Sequence, residues 1–319
     1  MRLASLQDGS RDGRLAVVSE DGRHGLFPDA VSTLQQALEQ WSAVETECRI
    51  LAEQLATGKG QALEKPFLAP LPRAWQWLDG SAFDNHGDLM QQAFGHAPLE
   101  HDKPLMYQGM SHRFYATGEA MPFPREADGI DFEGEFGIIT DAVPMGVTPA
   151  EAMDHIKLVV LINDWSLRNL AMPEMKTGFG WIQAKPACAM APFAVTPDAL
   201  GAVWQDGRVH LDLRVDWNDE RFGSPNGGEM SVGFHELVAH AASTRELCAG
   251  TVIGSGTVSN RNFRESGSTC ISERRGIEII DTGKPVTGFM RFGDRVTLQA
   301  SPTDYFGVLE QVVTAPAGH

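Results

Sequence analysis

Long apolar runs are absent from this sequence. The clearest one, Leu158 to Ile162, falls far short of the roughly 20 residues that cross a bilayer. The opening stretch, Met1 to Asp8, lacks the uninterrupted apolar centre of a secretory signal. Positive charge is also scarce: 26 Lys and Arg stand against 42 Asp and Glu, a net charge of −16 at pH 7. That excess repels phosphate backbones and anionic lipid, so neither nucleic acid nor membrane is expected as a partner, whereas a bound cation is compatible with it. Cysteine is limited to Cys48, Cys188, Cys248 and Cys270, with no Cys-x-x-Cys pair to signal a zinc site or a disulfide framework. Each is expected to be a small core residue in a reducing, cytoplasmic compartment. There is no Gly-x-Ser-x-Gly elbow, phosphate-binding loop or His-Glu-x-x-His pair. Gly254-Ser255-Gly256 continues as Thr257-Val258-Ser259, without the further glycine of a dinucleotide fingerprint.

What is present is an ordinary globular composition, 42% hydrophobic and 21% charged over 319 residues, enough for two unequal domains or one large β-rich one. Leu15 to Val18 and Gly25 to Phe27 flank Asp21-Gly22, a hairpin signal. Leu34, Ala37, Leu38 and Trp41 then recur at helical spacing, followed by Ile50, Leu51 and Leu55, with Gly58 closing the helical stretch. Three prolines between residues 66 and 72 make a stiff connector. The expected organisation is a small β-plus-helix domain over 1–64, the connector at 65–72, and a second domain over 73–319. In the latter, Thr148-Pro149-Ala150-Glu151 reads as a capping box opening a helix through His155. Leu158 to Ile162 reads as a buried strand and Phe234 to Ala242 as a helix. Thr251–Ile253, Gly276–Ile280 and Arg295–Leu298 read as strands.

The chemistry centres on Asp131-Phe132-Glu133-Gly134-Glu135-Phe136. Strand alternation puts Glu133 and Glu135 on one face and Phe132 and Phe136 on the other. Two carboxylates on one face repel unless something positive sits between them; an edge strand with a solvated acidic face is the competing reading. Asp164 follows Leu158 to Asn163, at the mouth of that buried strand, where it is either a site residue or the cap of the turn Trp165 to Arg168. Carboxylates without Cys or His would select a hard cation, magnesium, calcium or manganese.

Glu133-Gly134-Glu135, Asn163-Asp164-Trp165-Ser166-Leu167-Arg168, Gln183-Ala184-Lys185-Pro186 and Gly254 to Ser259 occur in an order and at spacings that resemble the fumarylacetoacetate hydrolase family, specifically its bacterial fumarylacetoacetase-like branch. The resemblance runs from the connector to about Phe306, and the N-terminal unit looks like the small domain these hydrolases carry. It implies a mixed α/β, β-rich fold: a mixed β-roll catalytic domain holding one divalent cation, usually in a homodimer. The implied metal ligands are Asp79, Glu133, Glu135 and Asp164. The implied catalytic groups are His86 as general base, Glu273 as its partner, and Lys185 and Arg168 as cations for developing negative charge. Thr257 matches a substrate-carboxylate contact and Tyr107 a tyrosine near the metal, with a hydrogen-bonded core role as its alternative. Ser81 stands in the substrate pocket where the animal enzyme's pattern has an aromatic. Ala171 and Gly95 likewise depart from that pattern, which leaves the acyl group of the diketo acid open. The implied reaction is hydrolysis of 4-fumarylacetoacetate to fumarate and acetoacetate in tyrosine breakdown. An acylpyruvate hydrolase, an oxaloacetate decarboxylase or keto-acid lyase, and a purely structural cation-binding β-domain are the alternatives.

Overall fold

The computed structural model describes residues 1–95 and 103–318. The chain is sheet-rich with helices packed outside. Its larger sheet runs, strand by strand, through Gln61–Ala62, His24–Leu26, Arg14–Val18, Arg2–Leu6, Ala194–Val195, Ile156–Leu167, Gly134–Thr140, Thr251–Gly254, Gln76–Gly80 and Met106–Gly109. The Asp-Gly hairpin forms as expected, with Val17 opposite Leu26. The helical stretch after it forms two helices, Leu34–Glu39, entered through a Thr33 capping box, and Trp41–Ala56. The N-terminal strands continue the larger sheet: Arg2 and Leu3 pair antiparallel with Val195 and Ala194. Leu3, Leu15 and Leu34 share one buried cluster with Leu158, Val160 and Ile162.

A second sheet, Glu220–Gly223, Asp212–Trp217, Arg295–Ser301, Leu309–Thr314 and Met121–Pro122, faces part of the first. Phe132 and Phe136 enter the apolar layer between them, beside Leu213, Val215 and Leu298. This is the face that the alternation in 131–136 assigns to them. The strand bearing Glu135 is central rather than at an edge, hydrogen-bonded to Ile156–Leu167 on one side and Thr251–Gly254 on the other. No helix among the described residues is long and apolar enough to cross a membrane.

Three expectations change. Residues 276–280 are not a strand but part of the helix Ile271–Thr282. The β-branched run Ile277, Ile279, Ile280 favours a strand locally. The helix prevails because its first amides are capped by buried side chains and its Gly276 face packs on another helix. Asp164 does not follow a strand end; the strand continues to Leu167, so Asp164 lies within it, opposite Cys188. Finally, Cys248 is exposed, because it occupies the turn whose carbonyl accepts the amide of Thr251.

Candidate metal centre and catalytic base

Sheet order brings distant segments together. Asp164, Glu135 and Asp79 come from three strands of the larger sheet, and one ligand oxygen from each lies within 4.8 Å of the others. All three are buried. Between the strands of Glu135 and Asp79 lies Thr251–Gly254, and its position opposite Asp79 is Gly254. A Cβ at Gly254 would sit 2.5 Å from Asp79 Oδ1, 2.6 Å from Glu135 Oε2 and 2.4 Å from the Trp77 ring. The missing side chain is what lets the two carboxylates meet. In the loop that follows, the amide of Gly256 donates to both Asp79 Oδ1 and Glu135 Oε2, each at 3.2 Å. Thr257 is buried next to it and Ser81 is exposed beyond the end of the Asp79 strand.

The electrostatics favour a cation. Burial pushes the Asp79 carboxyl well above its usual range, and the nearby charge of Asp164 adds to the effect. Glu135 is raised likewise, by burial first and then by Asp79 and Asp164. Glu135 Oε1 is buried without a hydrogen-bond partner, an acceptor left for something other than protein. Three buried carboxylates crowded together, one with an orphan oxygen, fit a hard divalent ion. All-oxygen donors do not separate magnesium, calcium and manganese.

Asp164 is held from several sides. Its Oδ2 accepts the Tyr107 hydroxyl at 2.6 Å and the Lys185 ammonium at 2.7 Å, and its Oδ1 accepts the Cys188 thiol at 2.9 Å. Tyr107 is the cross-strand partner of Asp79 and Cys188 that of Asp164. Burial raises the pKa of both donors, so they remain protonated and able to donate. Cys188 was expected only as core filler. Its role depends on strand register, which its isolated position in the sequence does not reveal.

Glu133 stands beside the triad. Lys185 donates to Glu133 Oε2 as well as to Asp164, and Arg168 Nη2 donates to Glu133 Oε1 at 2.5 Å. Burial would raise Glu133, but the Arg168 and Lys185 charges outweigh it and hold the carboxyl at about 2. Of the four expected ligands, three thus converge, and the fourth is joined to Asp164 through Lys185.

The expected base and its partner also meet. His86 lies in the first turn of the helix Asp84–Phe94, and Glu273 in the first turn of Ile271–Thr282. His86 Nδ1 is 2.8 Å from Glu273 Oε2. The histidine side chain is 20% exposed and that of Glu273 is fully buried. The two helices pack one turn further along, where Gly276 leaves room for Met90; a Cβ there would come 2.4 Å from the Met90 methyl. A proton on Nδ1 donated to the carboxylate leaves the imidazole lone pair on Nε2.

Residues 76–314 match the family described as fumarylacetoacetate (FAA) hydrolase C-terminal, and residues 1–73 match fumarylacetoacetase N-terminal domain 2. Among curated proteins, an uncharacterized protein of Staphylococcus aureus is 28% identical over 162 residues, 50% of this chain and 52% of that protein. The chain therefore matches about half the length of the curated relatives it resembles. Solved structures of similar fold include the following three. A putative HpcE protein from Mycobacterium smegmatis has a TM-score of 0.70 at 18% identity, covering 99% of both chains. Maleylpyruvate hydrolase from Sphingobium sp. SYK-6, solved with manganese(II) and pyruvate, has a TM-score of 0.67 at 14% identity, again covering 99% of each. Fumarylacetoacetate hydrolase from Exiguobacterium antarcticum has a TM-score of 0.66 at 19% identity, covering 99% of this chain and 100% of that one. With one family match spanning most of its length and a second covering its N-terminal region, the chain belongs to the fumarylacetoacetate hydrolase family.

Proposed function

We propose that the protein hydrolyses a carbon–carbon bond in a β-diketo acid, with 4-fumarylacetoacetate as the first candidate substrate. The observation that carries this reading is the His86–Glu273 pair at 2.8 Å in a chain whose buried carboxylate triad suits a divalent ion. Asp79, Glu135 and Asp164 would hold that ion, which would supply Lewis acidity towards the diketo oxygens and ease departure of a carbon leaving group as an enolate.

The protein's own groups account for the proton movements. His86 Nε2 takes a proton from water as the water oxygen bonds to the carbonyl carbon, and Glu273 stabilises the imidazolium through Nδ1. General-base assistance of this kind contributes typically ~10²–10⁴-fold. Collapse of the tetrahedral alkoxide breaks the carbon–carbon bond, and the imidazolium returns its proton to the departing carbon. Lys185, fixed between Glu133 and Asp164, supplies positive charge near the developing oxyanion.

A second reading uses the same base without water: proton transfer between carbons or oxygens of a keto acid, giving isomerisation. One similar fold belongs to a probable 2-hydroxyhepta-2,4-diene-1,7-dioate isomerase from Mycobacterium abscessus. Steady-state assays with 4-fumarylacetoacetate, acetylpyruvate and oxaloacetate, each with magnesium or manganese and then with chelator, separate the readings by product. Chelator-sensitive release of fumarate and acetoacetate is the expected result. Preference for acetylpyruvate would move the activity to acylpyruvates, which the maleylpyruvate hydrolase similarity also supports. Absence of turnover on all three with metal present would sink the hydrolase reading.

A further inference from the structure

Asp131 is fully buried, yet none of the chemistry above uses it. Both of its oxygens accept amides at one helix start, and one of them also accepts an arginine. Oδ1 accepts the amide of Ile271 at 2.7 Å, and Oδ2 accepts the amide of Ser272 at 2.9 Å and Arg168 Nε at 2.7 Å. Ile271 and Ser272 open the helix that carries Glu273, so the carboxylate occupies the donor end of that helix, where negative charge is favoured. Arg168 is the residue that reaches Glu133, and Glu133 in turn meets Lys185. The backbone of Asp131 is fixed as well, pairing with Ser166 in the strand of Asp164. A single carboxylate thus joins three elements: the Glu273 helix, the strand of Asp164, and the chain of charges Arg168–Glu133–Lys185.

We propose that Asp131 is a positioning residue that holds the Glu273 helix in register with the Arg168–Glu133–Lys185 chain, and thereby keeps Glu273 on His86. Asp131 touches neither substrate nor reacting atoms and acts through Glu273 and Arg168. Glu273 makes the sensitive end of this link: its amide donates to Cys270 Sγ at 3.3 Å, and its Oε1 is buried without a partner. Oε2 on His86 is the contact the helix start must place. The proposal rests on the reading of His86 as base, so its test needs a signal independent of turnover.

That signal is the tautomer of His86. With isotope-labelled histidine, the ring-nitrogen shifts of the magnesium-loaded protein report whether Nδ1 carries the proton. Asp131→Asn preserves volume but must turn an NH₂ group towards a donor on one side, either Ile271 or the Ser272–Arg168 side. The expected result is loss of the uniform Nδ1–H signature, with kcat lowered on the order of tenfold and KM nearly unchanged. Combining Asp131→Asn with Glu273→Gln should cost little beyond Glu273→Gln alone, because both act on one contact. Ser272→Pro, at the second residue of the helix, removes one amide from Asp131 without altering the carboxylate, and Ser272→Ala, which removes only the hydroxyl that meets Met90 Sδ at 3.8 Å, is its control. Ser272→Pro should produce the same shift in smaller degree, and it keeps the test available if Asp131→Asn folds poorly. If Asp131→Asn and Ser272→Pro lower only the thermal midpoint while the tautomer signature and kcat stay as in the wild type, Asp131 is a helix cap alone and the proposal fails. If the wild type turns over no diketo acid but its tautomer responds to both variants, the functional reading fails and the positioning role stands.

Discussion

Glu133 and Glu135 are two residues apart, both buried, and emerge on the same side of one run of chain, yet their surroundings drive them in opposite directions. Glu133 faces Arg168 and Lys185, which hold it at about 2 against the effect of burial. Glu135 faces Asp79 and Asp164, and burial together with those charges pushes it well up. The two glutamates of the Glu-x-Glu motif are therefore not electrostatically equivalent. One carboxylate already has its countercharge inside the protein; the other sits among like charges, a setting that suits a cation.

The comparison breaks most sharply on substitution. Glu133→Gln leaves Lys185 and Arg168 buried with less than their share of negative charge, and should cost about 3–5 kcal/mol. Glu135→Gln relieves crowding and should leave the metal-free protein as stable as before or slightly more so, while abolishing manganese binding in titration calorimetry. Equal destabilisation by the two would overturn the distinction. Denaturation against pH should show the same asymmetry. Glu133 has a depressed pKa, so its contribution is complete above the ordinary 4.5 and is lost as pH falls from there towards about 2. Asp79 and Glu135 have raised pKa values, so the metal-free protein should lose stability as pH rises above the usual carboxylate range.

Next in size comes Gly254→Ala. Its Cβ would meet Trp77, Asp79 and Glu135 at once, and overpacking of this kind costs about 1–3 kcal/mol. Because two of the three obstacles are the carboxylates themselves, metal affinity should fall by far more than stability does. Unchanged manganese affinity would show that the gap left by glycine is not what lets the carboxylates converge. The smallest effect is expected for Gly276→Ala, where the obstacle is the flexible end of Met90 and the cost should be about 1 kcal/mol. Its mark should be a severalfold drop in kcat with manganese affinity intact, since it moves the His86 helix and not the triad.

Much of this was legible from local pattern. The alternation in 131–136 correctly separates Phe132 and Phe136 from the two glutamates, although the strands cover only Ile130–Asp131 and Gly134–Thr140 and leave Phe132 and Glu133 between them. Asp131 has the same parity as Glu133 and Glu135, and that parity was the one signal that could have singled it out. What stayed hidden depends on contacts between distant segments. Residues 276–280 look like a strand until the caps from Asp131 and Cys270 and the packing on Met90 are known. Cys188 becomes informative only when register places it across from Asp164. Tyr107 illustrates the same limit: its expected place near the metal site and its hydrogen-bonded hydroxyl are one contact, set by its pairing with Asp79.

The order of strands in the larger sheet has a consequence for how the protein becomes stable. Its three converging carboxylates are drawn from segments far apart in sequence, and they meet only when the sheet has closed around Gly254. Such non-local pairing gives a high contact order and makes folding slow. A partly folded chain has no site to offer, so an ion held by the triad would discriminate in favour of the finished sheet. Its binding free energy would then add to native stability, by about 2.7 kcal/mol at a hundred times the dissociation constant. The ion would in that sense act as an inspector, rewarding only chains whose sheet is complete.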